Sequence, residues 1–547
     1  MWIISGPFPF SDLGGGPFQL LVYAALFGAG AVLMQKIFSR FMKALYIIMK
    51  IENKEKYGNG GDAMQMFSKQ YIDGKWVEGT SEHKIVTTNP YSGEVVNELR
   101  AASVDDVRAA YEAARRARKA WERTLPVQKQ EVLERAAQLL VERKDEVIDL
   151  LVRESGSTVI KSEIEWGATL TTIRFAATLP LRMEGKILPS NIPGKENRVY
   201  RSPVGVIGVI GPFNFPLVLT MRSVAPAIAT GNAVVIKPSS DTPIMSGLWI
   251  AKLFEDAGLP PGVLNVVAGK GSEIGDAFVT DPVPRLISFT GSTEVGRRVA
   301  ELAGRHLKDT ALELGGNNVM IVLDDADLER AAELTAVGAF LHQGQICMAV
   351  NRILVEAPVY DRFVEVFKQK VSQLQAGDPS RLPTVIGPLI RKEEIARIEK
   401  LIEDSRAMGA VEVLRGPVEG QVMHPVILKD VTNDMPIARN EVFGPVASII
   451  KVENEEEAIR IANESPHGLS GAVCTSNLHR GVHVAKQIET GMIHINDQPV
   501  NEEAHVSFGG EKESGIGRFG GEWVLDKFTT VKWISVQEQD RIYPFWG

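Results

Sequence analysis

Two successive α/β units, each a parallel sheet covered by helices, are what this sequence predicts, and three observations predict them. Between Val204 and Gly304 short apolar runs alternate with helical stretches, as in "VGVIGVIGPF", "NAVVIKP", "GVLNVVAG" and "RLISFTG". Near Leu314 a second series begins, with "NVMIVLDDAD", "LERAAELTAVGAFLHQG" and "NRILVEAPV". A chain of 547 residues also exceeds what one hydrophobic core usually serves. Apolar strands alternating with helices are strands buried on both faces, and such sheets bind ligands at the carboxyl ends of their strands. Two units in sequence place a cleft between them.

Taken in order, the chain opens on an apolar segment. From Leu13 to Gln35 there is no charge, and Lys36, Arg40, Lys43 and Lys50 follow. That is long enough to span a bilayer with its positive side toward the cytoplasm, and it lacks the small-residue cleavage site of a signal peptide. The other reading takes residues 1–63 as an upstream extension, because Met64 and Met66 sit just before "FSKQYIDGKWVEG", where globular patterning starts. "SVDDVRAAYEAARRARKAWERT" predicts a helix capped by Ser103, with Asp106 completing a capping box, and a second helix follows Pro126. "GKILPSNIPGKENRVYRSPVG" predicts a polar hairpin around a Pro-Gly turn. Pro216 opens a helix, "MSGLWIAKLFEDAG" predicts another, and the glycines of "QGQIC" are expected to end the helix before Cys347.

Composition excludes several classes of function. Apolar residues make up 44% and charged residues 23%, an ordinary globular balance. With a net charge of −8 and no basic stripe, nucleic acid is not expected as a partner. Cys347 and Cys474 are the only cysteines, too few for a disulfide framework, and no His/Cys cluster suggests a metal. A reducing, cytoplasmic setting follows, with a membrane involved only if 13–35 is an anchor.

Glycine motifs alone do not decide the chemistry. "GVIGVIG" spaces Gly205, Gly208 and Gly211 unlike the dinucleotide fingerprint. "SFTGSTEVG" is more informative: Gly291, Ser292 and Gly296 stand between a strand and a helix, where amides and dipole favour an anion, although turn chemistry also explains them. Cys347 alone reads equally as a small buried hydrophobe, while Cys474, where a strand enters a turn, reads as packing.

Combination decides. "PFNFP" (212–216), "KPSSDTP" (237–243), "ELGG" (313–316), "GQIC" (344–347) and "NEVFGPV" (440–446) occur in one chain. Their order and spacing resemble the aldehyde dehydrogenase superfamily from about Tyr71 to Gln537. The resemblance implies a Rossmann-like NAD(P)-binding domain from 71–182 and 203–314 and a catalytic domain over 315–515. It also implies a small β oligomerisation arm from 183–202 and 528–540, serving a homodimer or homotetramer. It further implies that Cys347 attacks the aldehyde, that Asn214 and the Cys347 N–H hold the oxyanion, and that Glu313 activates water to hydrolyse the thioester. Lys237 and Glu441 would bind ribose hydroxyls, Phe443 would pack near the nicotinamide ribose, and Ser292 would meet the pyrophosphate.

Two departures from the family pattern bear on detail. Ser240 replaces a glutamate that would grip the adenosine 2′-hydroxyl, so NADP is expected to be tolerated alongside NAD. Phe519 replaces a glutamate thought to assist proton relay, so Glu313 must act without it. The stretch "NDQPVNEEAHVSFGGEKESGIGRFGGEW" looks like the bacterial benzaldehyde and vanillin dehydrogenase branch, which implies an aromatic substrate. Arg222, eight residues past Asn214, is similar in place to an arginine that helps hold the carboxylate in succinate-semialdehyde members of the family, which implies an acidic semialdehyde as the alternative, unless it only bonds its neighbours. Acyl transfer to CoA, and a structural or binding protein on the same fold, are the remaining alternatives.

Overall fold

Five parallel strands, Leu264–Val266, Ala233–Lys237, Val206–Ile210, Leu286–Thr290 and Asp309–Glu313, form the middle of the first sheet in that spatial order. They belong to a computed structural model that describes residues 66–545; the apolar segment 13–35 and the rest of the expected extension 1–63 lie outside the described residues. From Val206–Ile210 the chain adds two strands on one side, then crosses to add two on the other. The reversal lies between Val206–Ile210 and Leu286–Thr290, and the crevice beyond their carboxyl ends is where such a sheet binds ligand. The α/β fold class therefore stands as read, with edges the sequence did not reveal. Gln70–Ile72 and Lys75–Val77 extend one side and Gly515–Ile516 the other, pairing Glu313 with Gly515. The expected boundary at 515 thus falls inside a strand of the first sheet.

Helix starts follow their local chemistry. Ser103 accepts from the Asp105 and Asp106 N–H groups while Asp106 accepts from the Ser103 N–H at 2.8 Å, the reciprocal pair read from sequence. Pro126–Glu142 and Pro216–Ala229 both begin on a proline, whose missing donor costs nothing in a first turn. "MSGLWIAKLFEDAG" departs from a uniform helix: Ile244–Leu248 is a π turn leading into the α-helix Trp249–Asp256. The buried Glu154 carboxylate accepts from the Ile244 and Met245 N–H groups, each at 2.8 Å, and fixes that start.

Seven strands form the second sheet, in the order Val411–Arg415, Val426–Lys429, Val446–Val452, Val350–Glu356, Asn318–Val322, Gly471–Cys474 and His494–Ile495. All neighbours are parallel except the first pair. Val350–Glu356 is buried throughout, as a strand covered on both faces must be. Cys474 lies in this core with its sulfur 3.6 Å from that of Met320.

The predicted hairpin forms, Lys186–Leu188 against Lys195–Pro203, and the strand Thr529–Gln537 pairs with the latter over nine residues. Ile187, Val531 and Trp533 of this three-stranded sheet are exposed. Among the described residues no helix is long and apolar enough to cross a membrane.

Candidate active site

One expectation about the cysteine loop is corrected by the structure. The helix Leu328–Phe340 ends at Phe340, before the glycines, because His342, Gln343 and Gly344 all take left-handed backbone conformations. Two of these are not glycine, so tertiary contacts must hold them. Gln343 donates its side-chain amide to the Pro388 carbonyl at 2.8 Å, and Gln345 accepts from the Ile390 N–H at 3.0 Å. The loop is thus fastened to the segment 388–390 before it presents Cys347.

Asn318, at the start of its strand, fastens the loop from the other side. Its amide donates to the Cys347 carbonyl at 2.8 Å and the Ala349 carbonyl at 2.9 Å, while its oxygen accepts from the Ser470 N–H. Gly316 permits the approach, since a Cβ there would meet the Cys347 carbonyl oxygen at 2.1 Å. Sequence reasoning passed over Asn318; its place two residues after "ELGG" was the only available signal.

Asn214 arrives from the first sheet, in the turn between Val206–Ile210 and the Pro216 helix. Its Nδ2 donates to the Gln345 carbonyl at 3.0 Å, which brings the amide to the cysteine loop. The helix behind it is held by a buried ion pair that the sequence did not announce. Glu165 accepts from the Leu217 and Val218 N–H groups and pairs with Lys161 at 2.5 Å, and the Lys161 ammonium lies over the Phe215 ring.

These loops open onto a cavity of about 440 Å³ at the carboxyl ends of the first sheet. Asn214, Gly291, Ser292, Glu313, Cys347, Glu441 and Phe443 all line it. Glu313 ends its strand with a buried carboxyl that has no hydrogen-bond partner. Burial pushes its pKa up to about 8, with Arg222 opposing and Glu502 adding to the rise. Cys347 is partly exposed, but to the cavity, so burial dominates and pushes the thiol up to about 12, with Glu441 contributing. Glu441 accepts from the Gly316 N–H at 3.1 Å, and burial raises it to about 7. Phe443, itself left-handed, meets Phe213 edge to face at 5.9 Å. Ser292 caps the helix Thr293–Arg305, whose first amides face the same space.

Four predicted residues do not line the cavity. Gly296 packs its helix against Leu314, where a Cβ would meet Leu314 Cδ2 at 2.3 Å, so its smallness serves helix packing. Lys237 is buried at its strand end; burial lowers its pKa to about 8, and its ammonium has a long 3.4 Å contact to the Pro238 carbonyl. Ser240 lies between Ser239 and Asp241, which do line the cavity, and its hydroxyl is 3.4 Å from the Gly269 carbonyl. Arg222 is buried behind Glu313, with Nη2 3.9 Å from Glu313 and Nη1 3.3 Å from Glu502. Among the described residues no group of three His, Cys, Asp or Glu side chains is placed to hold a metal.

A thiol, a carboxyl with raised pKa and a side-chain amide on one cavity, beside a helix N-terminus at a sheet reversal, match one family in particular. Residues 76–534 match the aldehyde dehydrogenase family. The chain belongs to that family. A benzaldehyde dehydrogenase of Bacillus subtilis is 52% identical over 478 residues, spanning 87% of this chain and 99% of that protein. A vanillin dehydrogenase of Corynebacterium glutamicum is 51% identical over 472 residues, 86% of this chain and 98% of its own. The crystal structure of an NAD-dependent benzaldehyde dehydrogenase from Corynebacterium glutamicum superposes with a TM-score of 0.81 at 47% identity, covering 88% of this chain and 98% of that one. The resemblance read from the motifs is therefore a membership, and the protein is an enzyme of this family.

The aldehyde dehydrogenase fold suits a nicotinamide dinucleotide on observations of this chain alone. The start of the helix Thr293–Arg305 at Ser292 and the Glu441 carboxylate line a cleft at the switch point, and the Lys237 ammonium is buried at the end of a neighbouring strand with one long contact.

Proposed function

We propose that this enzyme oxidises an uncharged aromatic aldehyde, of the benzaldehyde or vanillin kind, to its carboxylic acid with NAD+ or NADP+. The observation that carries the reading is the one cavity shared by Cys347, Asn214 and Glu313, with relatives that act on benzaldehyde and vanillin in support. Cys347 sulfur bonds to the aldehyde carbon, its proton passing to solvent water, as the C=O π bond breaks and the carbonyl oxygen becomes an oxyanion. The Asn214 amide and the Cys347 N–H stabilise that charge. Bound NAD+ or NADP+ supplies the hydride acceptor. Glu313 then takes a proton from water, which attacks the thioester on Cys347 and releases the acid and the thiol.

In this reading Lys237, Ser240 and Glu441 hold the ribose groups, Ser292 and Gly291 the pyrophosphate, and Phe443 the nicotinamide end. Ser240 puts no carboxylate against a 2′-phosphate, which supports use of either cofactor. The sheets divide the work into a cofactor half and a catalytic half, and the exposed three-stranded sheet is the arm through which copies associate. Initial rates with benzaldehyde, vanillin and succinate semialdehyde, each with NAD+ and NADP+, test the proposal. Faster turnover of the two aromatic aldehydes supports it, and preference for the semialdehyde or an absolute need for CoA overturns it.

A further inference from the structure

Arg222 is the residue whose sequence reading pointed toward an acidic substrate, and its surroundings argue the opposite. Its guanidinium lies 4.1 Å from the Phe508 ring centre and 5.0 Å from that of Phe519. Nη1 is 3.3 Å from Glu502, Nη2 points at Glu313 from 3.9 Å, and Nε is buried without a partner. A carboxylate binds arginine best through two adjacent N–H groups. Every such edge of Arg222 includes a nitrogen already directed at Glu502 or Glu313.

Glu502 also lines a cavity separate from the one that holds Cys347. With Phe508 it lines this second cavity of about 410 Å³, and Arg222 links it to Glu313 on the first. Glu313, at one end of this chain of charges, lines the same cavity as Cys347, and Glu502 stands at the other end. In the arrangement inferred below, an aldehyde whose carbon is at Cys347 directs its far end past Glu313 toward the second cavity, beside Glu502 and Phe508. A carboxylate there meets Glu502 in a poorly solvated space, where like charges repel strongly.

We propose that Glu502 is a specificity-determining residue of the aldehyde site: by occupying Arg222 and by its own charge, it excludes aldehydes that carry a carboxylate and keeps the site for neutral aromatic ones. The proposal rests on the aldehyde-oxidising function proposed above and adds the residue that sets its charge selectivity. Phe508 supplies the ring contact and Glu502 the charge. Without Glu502, Nη1 of Arg222 loses its partner and can meet a substrate carboxylate, so the preference shifts toward carboxylated aldehydes.

The test compares benzaldehyde with 4-carboxybenzaldehyde, which differ only by the carboxylate, on the full chain. In Glu502→Gln the ratio of kcat/KM for 4-carboxybenzaldehyde to that for benzaldehyde is expected to rise about tenfold or more, mainly through KM, as freeing a buried charge partner implies. Glu502→Asp, which keeps the charge, is expected to retain the original ratio, and Arg222→Gln combined with Glu502→Gln to lose the gain. An unchanged ratio in Glu502→Gln overturns the proposal. Should that variant not fold, protection of Cys347 in the unaltered protein from alkylation by benzoate and by terephthalate replaces it, and equal protection overturns the proposal. Failure of the unaltered protein to oxidise either aldehyde counts against the function instead, and the protection experiment then decides the charge selectivity by itself.

Discussion

The side-chain amide of Asn318 donates to the backbone carbonyl of Cys347 at 2.8 Å, so the residue that opens one strand of the second sheet holds the peptide of Cys347 in place. Asn318→Ala strands the Cys347 and Ala349 carbonyls and is expected to cost about 1–3 kcal/mol of stability. Displacing the thiol lowers kcat by about 10- to 100-fold. Thermal unfolding and initial rates measure the two effects, and a variant with unchanged kcat would show that the loop is held without Asn318.

Glu313 should govern the pH profile. In the proposed mechanism it activates water as the carboxylate, and burial raises its pKa to about 8, so deacylation is expected to increase roughly tenfold per pH unit below about 8 and to level above it. For folding the sign is opposite: a carboxyl whose folded pKa is raised favours the folded state at low pH and loses that contribution as pH climbs toward about 8. Glu313→Gln removes both dependences. With an aldehyde and NAD(P)+ it should accumulate an acyl group on Cys347, seen as added mass in the quenched protein, without steady turnover.

The two cysteines should separate cleanly. Cys347→Ser is expected to abolish aldehyde-dependent NAD(P)H formation, because a serine hydroxyl is a far weaker nucleophile without a dedicated base. Cys474→Ala removes only a buried sulfur beside Met320 and is expected to cost about 1–2 kcal/mol while kcat stays within about twofold. Loss of chemistry in Cys474→Ala with the fold intact would contradict these assignments.

Ser240→Glu is expected to raise KM for NADP about tenfold or more while leaving KM for NAD within a fewfold, since a carboxylate placed there repels a 2′-phosphate. A constant ratio of the two KM values would refute the assignment of Ser240 to the adenosine ribose.

Much of the fold was legible because its signals are local. Apolar runs between helices announce buried parallel strands, and Ser103 with Asp106 announces a cap within four residues. The hairpin 186–203 declared itself by its polar strands and its turn. The two-residue edge strand Gly515–Ile516 was not legible, because so short a run carries no periodicity and exists only through its pairing with Leu312 and Glu313. The helix end at Phe340 misled for a similar reason. His342 and Gln343 adopt left-handed backbone in tertiary contact, His342 edge to face with Phe215 and Gln343 bonded to the Pro388 carbonyl, whereas local propensity would continue to the glycine.

The site divides along the same line. Cys347, Asn214 and Glu313 stood in motifs that identify them one by one. Asn318, Lys161, Glu165 and Glu502 act through partners distant in sequence, as with Glu502 and Arg222, which are 280 positions apart. Gly296 was singled out for its motif, and the neighbouring Leu314 side chain shows why a glycine stands there.

The three-stranded sheet carries a consequence for the birth of the protein. Arg201 and Asp526, which join its middle strand to the helix leading into its last, are 325 positions apart in the chain. The strand Lys195–Pro203 therefore leaves the ribosome long before Thr529–Gln537 exists to cover its edge. Synthesis proceeds at about 5–20 residues per second, so that edge waits tens of seconds beside neighbouring nascent chains. Assembly of the arm must wait for both distant segments, and any slowing of elongation between them lengthens the time during which aggregation competes with folding.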